Sequence, residues 1–290
     1  MPIDSTKTKK IRITEQVTVG GGGPLFLIAG PCVIESEEHA LLLARRIKEI
    51  CGRLGVPFIF KASYDKANRS SLKSYRGPGL ERGLAILRAV KEEVGVPVLS
   101  DVHETSQVGP AAEVLDVIQI PAFLCRQTDL ILEAARTKKP LNLKKGQFLS
   151  PQEMANALEK ADSQGNGDVL ITERGTFFGY NNLVFDVRSI PIMKQWGRPV
   201  VLDASHLVQR PGGRGAASGG EAEFIPTIVR AGVAAGADGL FLEVHDRPEK
   251  ALSDGYNALN INNLEAILGG AGRIRQALHE NGEPWGPKAR

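Results

Sequence analysis

Eight short apolar runs, each followed by a segment with helical spacing, alternate through most of the chain, and this repeat limits the folds open to it. Runs rich in Val, Ile and Leu are typical of strands buried on both faces of a parallel sheet. The segment SEEHALLLARRIKEICGRLG at 36–55 predicts a helix, with Ser36 as its N-cap and Gly55 as its C-terminal signal. The predicted strands cover 25–30, 56–62, 96–102, 115–120, 140–145, 168–174, 198–205 and 238–244. The predicted helices cover 36–55, 80–95, 106–114, 127–138, 150–165, 187–197, 223–237 and 263–280.

Eight strand–helix units predict an α/β fold, the (β/α)8 TIM barrel. The alternative is an open, doubly wound sheet, although no G-x-G-x-x-G sequence of a dinucleotide site follows the first strand. Alternating apolar and polar residues at 11–19, followed by a glycine run, predict a short half-exposed strand and a turn. We therefore divide the chain into an N-terminal tail and β-hairpin (1–24), a catalytic TIM-barrel domain (25–282) and a C-terminal tail (283–290).

The charge balance argues against a nucleic-acid-binding protein, because 36 Lys and Arg against 33 Asp and Glu leave a net charge of only +3. No apolar run approaches the length of a membrane span, and the N-terminus lacks the apolar stretch of a secretory signal. Three scattered cysteines are too few for a disulfide framework. We therefore expect a cytoplasmic protein without nucleic-acid or membrane partners, whose basic cluster at 7–12 forms a solvated tail.

Polar residues just after each predicted strand are expected to share one mouth, because all strands of a TIM barrel end at the face that carries the active site. Five of these residues are cations: Lys61, Lys66, Arg69, Lys144 and Arg174. One interpretation is that each cation pairs with a nearby acid. Five like charges at successive strand ends instead favour an anionic ligand, either a phosphate or a carboxylate.

A second group of strand-end residues has the donor chemistry of a metal site. It consists of Cys32, His206, Glu243 and Asp254, which follow the first, seventh and eighth strands. These strands become neighbours when a barrel closes. Thiolate, imidazole and carboxylate donors suit a divalent ion such as Zn²⁺, Fe²⁺ or Mn²⁺. The alternative is a buried cysteine that fills space and a hydrogen-bonded core histidine.

A glycine-rich segment, PGGRGAASGG at 211–220, follows the seventh strand. Such a segment is compatible with a mobile lid over the mouth of a barrel. It is equally compatible with a flexible loop that has no role, and composition leaves both interpretations open.

Eight segments carry a resemblance to a known family. They are FKASYDKANRSS (60–71), YRGPGLERG (75–83), SDVHE (100–104), IQIPAFLCRQTDL (118–130), NLKKGQF (142–148), TERGTFFGYNNLVFD (172–186), DASHLVQ (203–209) and EVHDRPEKALSDG (243–255). Over about residues 12–282 the chain resembles the 3-deoxy-D-manno-octulosonate 8-phosphate synthases. The KANRSS run is specific, because the related 3-deoxy-heptulosonate 7-phosphate synthases typically carry a Pro-Arg-Thr version of this loop.

The resemblance implies an enzyme that condenses phosphoenolpyruvate with D-arabinose 5-phosphate and water. The implied products are 3-deoxy-D-manno-octulosonate 8-phosphate and phosphate, which feed lipopolysaccharide synthesis in Gram-negative bacteria. Two alternatives stay open: a 3-deoxy-heptulosonate 7-phosphate synthase that uses erythrose 4-phosphate, and a non-catalytic barrel that binds phosphosugars.

The resemblance also implies roles for individual residues. The implied catalytic residues are Lys61, Lys66, Asp101, Lys144 and His206. The implied phosphoenolpyruvate pocket consists of Lys61, Lys66, Lys144 and Arg174, with Ser63 and Gln119. The implied arabinose 5-phosphate site consists of Asn68, Arg69 and Ser70, with Asp101 near the sugar hydroxyls. Arg126 matches a residue that reaches the sugar phosphate of a neighbouring subunit, which implies a homotetramer.

The segment AGPCVIES resembles the metal-dependent members of the family, since metal-independent members carry Asn at the position of Cys32. The segments PGG at 211–213 and SDG at 253–255 agree with this assignment. The implied cofactor is therefore one divalent metal ion, held by Cys32, His206, Glu243 and Asp254. One departure is the run 246–248, Asp-Arg-Pro, where relatives more often show His-Pro just after the Glu.

Overall fold

The computed structural model describes residues 8–69, 71–179, 182–214 and 217–280. Its strands are β1 (Lys10–Arg12), β2 (Thr18–Gly20), β3 (Phe26–Gly30), β4 (Phe58–Lys61), β5 (Val98–Asp101), β6 (Val117–Ile120), β7 (Leu141–Lys144), β8 (Val169–Glu173), β9 (Thr176–Gly179), β10 (Asn182–Val184), β11 (Val200–Asp203), β12 (Gln209–Arg214), β13 (Ala217–Gly220), β14 (Gly239–His245) and β15 (Leu259–Asn260). Its α-helices are α1 (Glu37–Leu54), α2 (Leu80–Ala89), α3 (Thr105–Val114), α4 (Thr128–Arg136), α5 (Met154–Ser163), α6 (Ser189–Lys194), α7 (Ala204–Leu207), α8 (Ile225–Ala234) and α9 (Leu264–Glu280). A wider helical turn, Val90–Val94, extends α2.

Eight of the strands form a closed parallel barrel in the order β3, β4, β5, β6, β7, β8, β11 and β14. The ring is completed by β14, which pairs with β3 on one side and with β11 on the other. An open sheet has two unpaired edges, so this double pairing excludes the doubly wound alternative. The predicted TIM barrel is confirmed, and all eight predicted strands are present in the predicted order.

Side chains along the barrel strands alternate between the interior and the helix-facing surface. Apolar side chains from every strand but β7 fill the interior in one cluster, which includes Ile59, Leu99 and Val201. Residues two positions further along the same strands share their face, and these are Lys61, Asp101 and Asp203. The barrel therefore has an apolar base and a polar mouth, and the strand period alone directs the polar groups inward.

The N-terminal hairpin closes the base of the barrel. Strands β1 and β2 pair antiparallel, and Ile11 and Val19 join the apolar interior cluster. The predicted hairpin is confirmed, but the single strand predicted over 11–19 is wrong. The chain turns at Thr14, whose hydroxyl accepts the backbone N–H groups of Gln16 and Val17 at 3.3 and 3.1 Å.

The basic cluster near the N-terminus is not simply a solvated tail. Lys9 Nζ lies 2.6 Å from Asp168 Oδ1, and the backbone N–H of Lys9 donates to the carbonyl of Gly197 at 2.7 Å. These contacts fasten the hairpin to the rim of the barrel base. Lys7 lies outside the described residues.

Two ribbons and one short helix at the mouth have no counterpart in the predicted elements. Strands β9 and β10 form a hairpin after β8, and α7 follows β11 directly. The glycine-rich segment contributes to an antiparallel ribbon made of β12 and β13, and its residues 215 and 216 lie outside the described part of the chain. None of the helices in the described ranges is both long and apolar enough to cross a membrane.

Helix α2 packs so closely on the loop after β4 that one of its positions tolerates only glycine. A Cβ atom at Gly83 would lie 2.2 Å from Tyr64 Cβ, whereas a Cβ atom at Gly272 in α9 meets nothing within 4 Å. We predict that Gly83→Ala lowers the free energy of unfolding by about 1–3 kcal/mol through overpacking. Gly272→Ala should raise it by about 0.5–1 kcal/mol, because alanine favours a helix interior.

Urea denaturation followed by circular dichroism measures both effects. Equal free energies of unfolding for the two variants would contradict the packing of α2 on Tyr64.

Candidate active site

The mouth of the barrel encloses a cavity of about 290 Å³ formed by the C-terminal ends of β4 to β8, β11 and the loops that follow them. Nine of the predicted site residues line it: Lys61, Ser63, Lys66, Asn68, Asp101, Gln119, Lys144, Arg174 and His206. They come from separate strand ends, as expected for a barrel whose strands all end at one face. The cavity therefore brings most of the predicted substrate-binding and catalytic residues together.

The three lysines of the cavity each have an acidic neighbour. Lys61 Nζ donates to the carbonyl of Cys32 at 2.8 Å and lies 3.3 Å from Glu243 Oε1, while Lys66 Nζ lies 3.9 Å from the same oxygen. Lys144 Nζ lies 2.6 Å from Asp203 Oδ2. Burial opposes ionisation of Glu243, but His206 and the two lysines beside it hold the pKa of its carboxyl below the ordinary value. The three lysines of the cavity therefore pair with acidic side chains of the same mouth.

Arg174 differs from the lysines. It is buried, and its Nη2 donates to Gln209 Oε1 at 3.3 Å. Among the described residues its Nη1 has no hydrogen-bond partner, and no carboxylate lies within ion-pair distance of its guanidinium. Four carboxylates, with Asp203 the strongest, act on the guanidinium only from beyond ion-pair distance. A buried cation that no anion contacts is costly, so the cavity suits an anion at this position.

A serine, an aspartate and a histidine form a chain of hydrogen bonds on the opposite wall. Ser63 Oγ donates to Asp101 Oδ1 at 2.5 Å, and His103 Nε2 lies 2.9 Å from Asp101 Oδ2. Burial opposes both charges, yet the pair stabilises them mutually: the pKa of Asp101 is lowered and the pKa of His103 is raised. The sequence places His103 at the mouth, two residues beyond β5, but assigns it no role in the site.

Asp203 is a second residue that the sequence places at the mouth without assigning it a role. Its Oδ1 accepts the backbone N–H of His206 at 2.9 Å and so caps α7, while its Oδ2 lies 2.7 Å from His206 Nδ1. Because the same oxygen also contacts Lys144, one carboxylate orients a lysine and an imidazole. The sequence signal for this contact was the run Asp-Ala-Ser-His at 203–206, because the side chain of an N-cap residue contacts the third residue of its helix.

Three of the four predicted metal ligands converge beside the cavity. Ligand atoms of Cys32, Glu243 and Asp254 all lie within 4.8 Å of one another, and Cys32 Sγ is 3.0 Å from Asp254 Oδ2. The fourth, His206, borders the same carboxylate, with its Nε2 3.6 Å from Glu243 Oε1.

The donor set fits a divalent cation. Glu243 Oε2 is buried without a hydrogen-bond partner in the described part of the chain. Burial, together with the carboxylates of Asp254 and Glu243, raises the pKa of the Cys32 thiol. A cation at this point would compensate both acids and favour the thiolate, and sulfur, nitrogen and oxygen donors together suit Zn²⁺ or Fe²⁺.

The remaining predicted substrate residues lie elsewhere. Arg69 turns away from the cavity towards Ser253 and Asp254, with its Nη1 3.9 Å from Asp254 Oδ1 and its Nε donating to the carbonyl of Tyr75. Arg126 is exposed on the turn after β6, outside the cavity wall of its own chain. Ser70 lies outside the described residues.

Comparison with known proteins assigns the chain to a family. The model of the DAHP synthetase I family matches residues 6–278. The chain belongs to the DAHP synthetase I family. A curated relative from Desulfosudis oleivorans, named 2-dehydro-3-deoxyphosphooctonate aldolase, is 59% identical over 269 residues, which are 92% of this chain and 96% of the relative.

Other curated relatives with the same name show a similar level of identity. The relative from Geotalea uraniireducens is 60% identical over 252 residues, 87% of this chain and 93% of the relative. The relative from Desulfotalea psychrophila is 53% identical over 264 residues, 91% and 94% of the two chains. The name denotes the 3-deoxy-D-manno-octulosonate 8-phosphate synthases, so the predicted resemblance is confirmed.

We predict that the pKa of His103 lies above its ordinary value of 6.5 and falls below it in Asp101→Asn. Burial lowers this pKa, and the hydrogen-bonded carboxylate of Asp101 more than offsets that effect, so its removal leaves burial dominant. A pH titration of the histidine ring signals by NMR measures both values, and the chain has only five histidines to assign. Asp65→Asn, which removes a carboxylate bonded to Arg76, should shift the pKa less.

The raised pKa also has a consequence for stability. A protonated His103 stabilises the fold fully below the pKa of the unfolded chain, and this contribution disappears as the pH rises through the folded value. The free energy of unfolding lost in His103→Gln should therefore shrink as the pH rises above about 6.5. A loss that grows with pH, or an unchanged His103 pKa in Asp101→Asn, would contradict the pairing.

Proposed function

We propose that this chain condenses phosphoenolpyruvate with D-arabinose 5-phosphate and water to give 3-deoxy-D-manno-octulosonate 8-phosphate and inorganic phosphate. The observation that carries the proposal is the buried guanidinium of Arg174, which has no acidic partner in the described residues and faces a cavity that also holds Lys61, Lys66 and Lys144. Such a cavity suits phosphate and carboxylate groups. The name shared by the relatives supports the choice of reaction.

The reaction needs the two substrates aligned before bonds change. C3 of phosphoenolpyruvate attacks the aldehyde carbon of the sugar phosphate, and positive character develops at C2. Water adds its oxygen to C2. The bond between C2 and the oxygen of the phosphate group then breaks and releases phosphate, which leaves the oxygen from water on C2 as the ketone oxygen. Holding the two reactants in one orientation supplies several kcal/mol of the required rate acceleration.

The cations have distinct tasks in this scheme. Arg174 and Lys144, from adjacent regions of the cavity wall, bind the anionic groups of phosphoenolpyruvate and stabilise the negative charge on the leaving phosphate. Asp203 fixes the position of Lys144 Nζ. Across the cavity, Asp101 is held by Ser63 and His103, so that its carboxylate can accept hydrogen bonds from sugar hydroxyls.

We propose one divalent metal ion as the cofactor, held by Cys32, Glu243, Asp254 and His206. Support comes from the convergence of the first three ligands and from the unpartnered Glu243 oxygen. A bound divalent cation supplies Lewis acidity, which polarises an adjacent substrate or water oxygen. Asp203 keeps the His206 ring in place beside Glu243.

We propose a homotetramer in which Arg126 reaches the sugar-phosphate site of a neighbouring subunit. Its side chain is exposed, and large aromatic side chains near it are exposed as well: Phe123, Phe148, Phe177 and Phe178. The loops that carry them touch, since the N–H of Phe177 donates to the carbonyl of Gln147 at 2.9 Å. Several exposed aromatic side chains on adjoining loops favour a protein interface. We also propose a cytoplasmic location, because all three cysteines are free thiols, as is usual in a reducing compartment.

We predict that the purified protein releases phosphate from phosphoenolpyruvate with D-arabinose 5-phosphate at a kcat/KM at least about a hundredfold higher than with D-erythrose 4-phosphate. The reason is that a site built around the hydroxyls of the longer sugar leaves polar groups unpaired with the shorter one. A phosphate-release assay over a panel of aldose phosphates measures the ratio. A preference for erythrose 4-phosphate would indicate the heptulosonate synthase, and binding without turnover would indicate a phosphosugar-binding barrel.

The variant Arg174→Gln tests the anion site in the same assay. It keeps a polar side chain that can donate hydrogen bonds but removes the charge and the planar fork of donors, so KM for phosphoenolpyruvate should rise at least about tenfold. An unchanged KM would remove the observation on which the proposal depends.

We predict that a strong chelator abolishes phosphate release and that added divalent metal restores it. Cys32→Asn should retain partial activity after the same treatment, because metal-independent members of the family carry Asn at this position. Elemental analysis of the purified protein, before and after chelation, verifies metal removal. Full activity of the metal-free wild type would rule out the metal requirement, and a folded but inactive Cys32→Asn would show that other positions also decide it.

A further inference from the structure

A polar cluster that the proposed reaction does not use lies behind the predicted metal ligands. It consists of Glu35 in the loop before α1, His39 in the first turn of α1, and His245 and Asp246 at the end of β14. All four side chains are mostly buried. Polar groups held in this way specify a unique arrangement of the segments that carry them.

One carboxylate oxygen connects the cluster to the neighbouring segments. Glu35 Oε1 accepts the backbone N–H of Leu252 at 2.8 Å and lies 3.3 Å from His245 Nε2. His245 Nδ1 accepts the backbone N–H of Arg247 at 2.9 Å and also lies 3.1 Å from Asp246 Oδ1. In the tautomer that the hydrogen bond from Arg247 selects, Nε2 carries the proton and donates it to Glu35. A single atom of Glu35 thus binds two different segments to its own.

Each of these three segments carries one predicted metal ligand. Cys32 precedes Glu35 by three residues, Glu243 precedes His245 by two, and Asp254 follows Leu252 by two. Asp254 has a positive φ of 52°, a backbone conformation that the surrounding contacts must hold in place. The relative positions of Cys32, Glu243 and Asp254 therefore depend on the hydrogen bonds at Glu35.

We propose that Glu35 is a positioning residue that sets the affinity of the metal site by tying its three ligand-bearing segments together. The inference rests on the proposed metal site. His39 and Asp246 support Glu35 from behind: His39 Nε2 lies 3.0 Å from Asp246 Oδ1, and the rings of His39 and His245 are 4.5 Å apart. Residues outside the ligand set commonly change metal affinity by about 10–100-fold in this way.

A second metal site is the competing interpretation, because ligand atoms of Glu35, His39 and His245 also lie within 4.8 Å of one another. The hydrogen bond from Arg247 argues against it. With Nδ1 of His245 used as an acceptor, Nε2 holds the proton and offers no lone pair to a metal. The geometry therefore favours a positioning role for this cluster over a second metal site.

Titration of the chelated protein with Co²⁺ tests the proposal, because the thiolate-to-cobalt absorption band reports Cys32 directly. Glu35→Ala should weaken Co²⁺ binding at least about tenfold and reduce the band, measured by competition with a chelator. Glu35→Gln should stay within about threefold of the wild type, because its amide oxygen still accepts both hydrogen bonds. The matched control is Glu37→Ala, an exposed acid two residues away, which should leave the affinity unchanged.

Four outcomes would overturn the proposal. Wild-type affinity in Glu35→Ala would show that the hydrogen bonds have no effect on the metal site. Equal losses in Glu35→Gln and Glu35→Ala would show that the charge matters rather than the hydrogen bonds. Two Co²⁺ ions per wild-type chain that fall to one in Glu35→Ala would establish a second metal site. A wild type that binds Co²⁺ without a thiolate band would refute the proposed metal site itself. The proposed reaction is tested separately by the panel of aldose phosphates.

Circular dichroism and thermal unfolding accompany each titration. Should Glu35→Ala fail to fold, Glu35→Asp replaces it with the same expectation, because the shorter side chain withdraws its oxygen from both donors. Full affinity in a folded Glu35→Asp would equally overturn the proposal.

Discussion

Strand β14 forms hydrogen bonds to β3 on one side and to β11 on the other, and this double pairing determines where the chemistry lies. It places Glu243 beside Gly30 in register, two residues before Cys32, and it places Asp203 beside Phe241. Residues from the beginning and the end of the chain therefore share one wall of the mouth. Without ring closure, the thiol, the imidazole and the carboxylate would have no common neighbour.

The charges of the three lysines at the mouth are stable because each lysine contacts an acid. Lys61 and Lys66 share Glu243, and Lys144 shares Asp203 with His206. Removing one partner of such a buried pair costs more than the pair contributes, because the remaining charge is left without compensation. Arg174 has no acid in direct contact among the described residues, which is why its guanidinium, rather than the more numerous lysines, indicates the anion site.

Sequence periodicity predicted the barrel because a buried parallel strand needs nothing beyond an apolar run of the right length. It also predicted the mouth, since Lys61, Asp101 and Glu243 each end such a run. It missed the turn at Thr14, where one hydroxyl interrupts an alternating pattern that otherwise predicts a strand. It missed Asp203, whose role depends on a contact with Lys144 from a strand about 60 residues earlier, which no local pattern contains. The same limit applies to Arg69, which the resemblance places at the sugar phosphate and the structure places against Asp254.

The two ends of the barrel divide stability from chemistry. At the base, Ile11 and Val19 complete an apolar cluster and leave little room for change, because interiors are packed at crystal-like density. At the mouth, many contacts are hydrogen bonds or ion pairs between side chains from different strand ends and loops, so a shift of one loop moves two or three charged groups together. Positions that join loops, such as Glu35 and Asp203, therefore hold side chains of the site in place, and we expect substitutions there to alter affinity before they alter the fold.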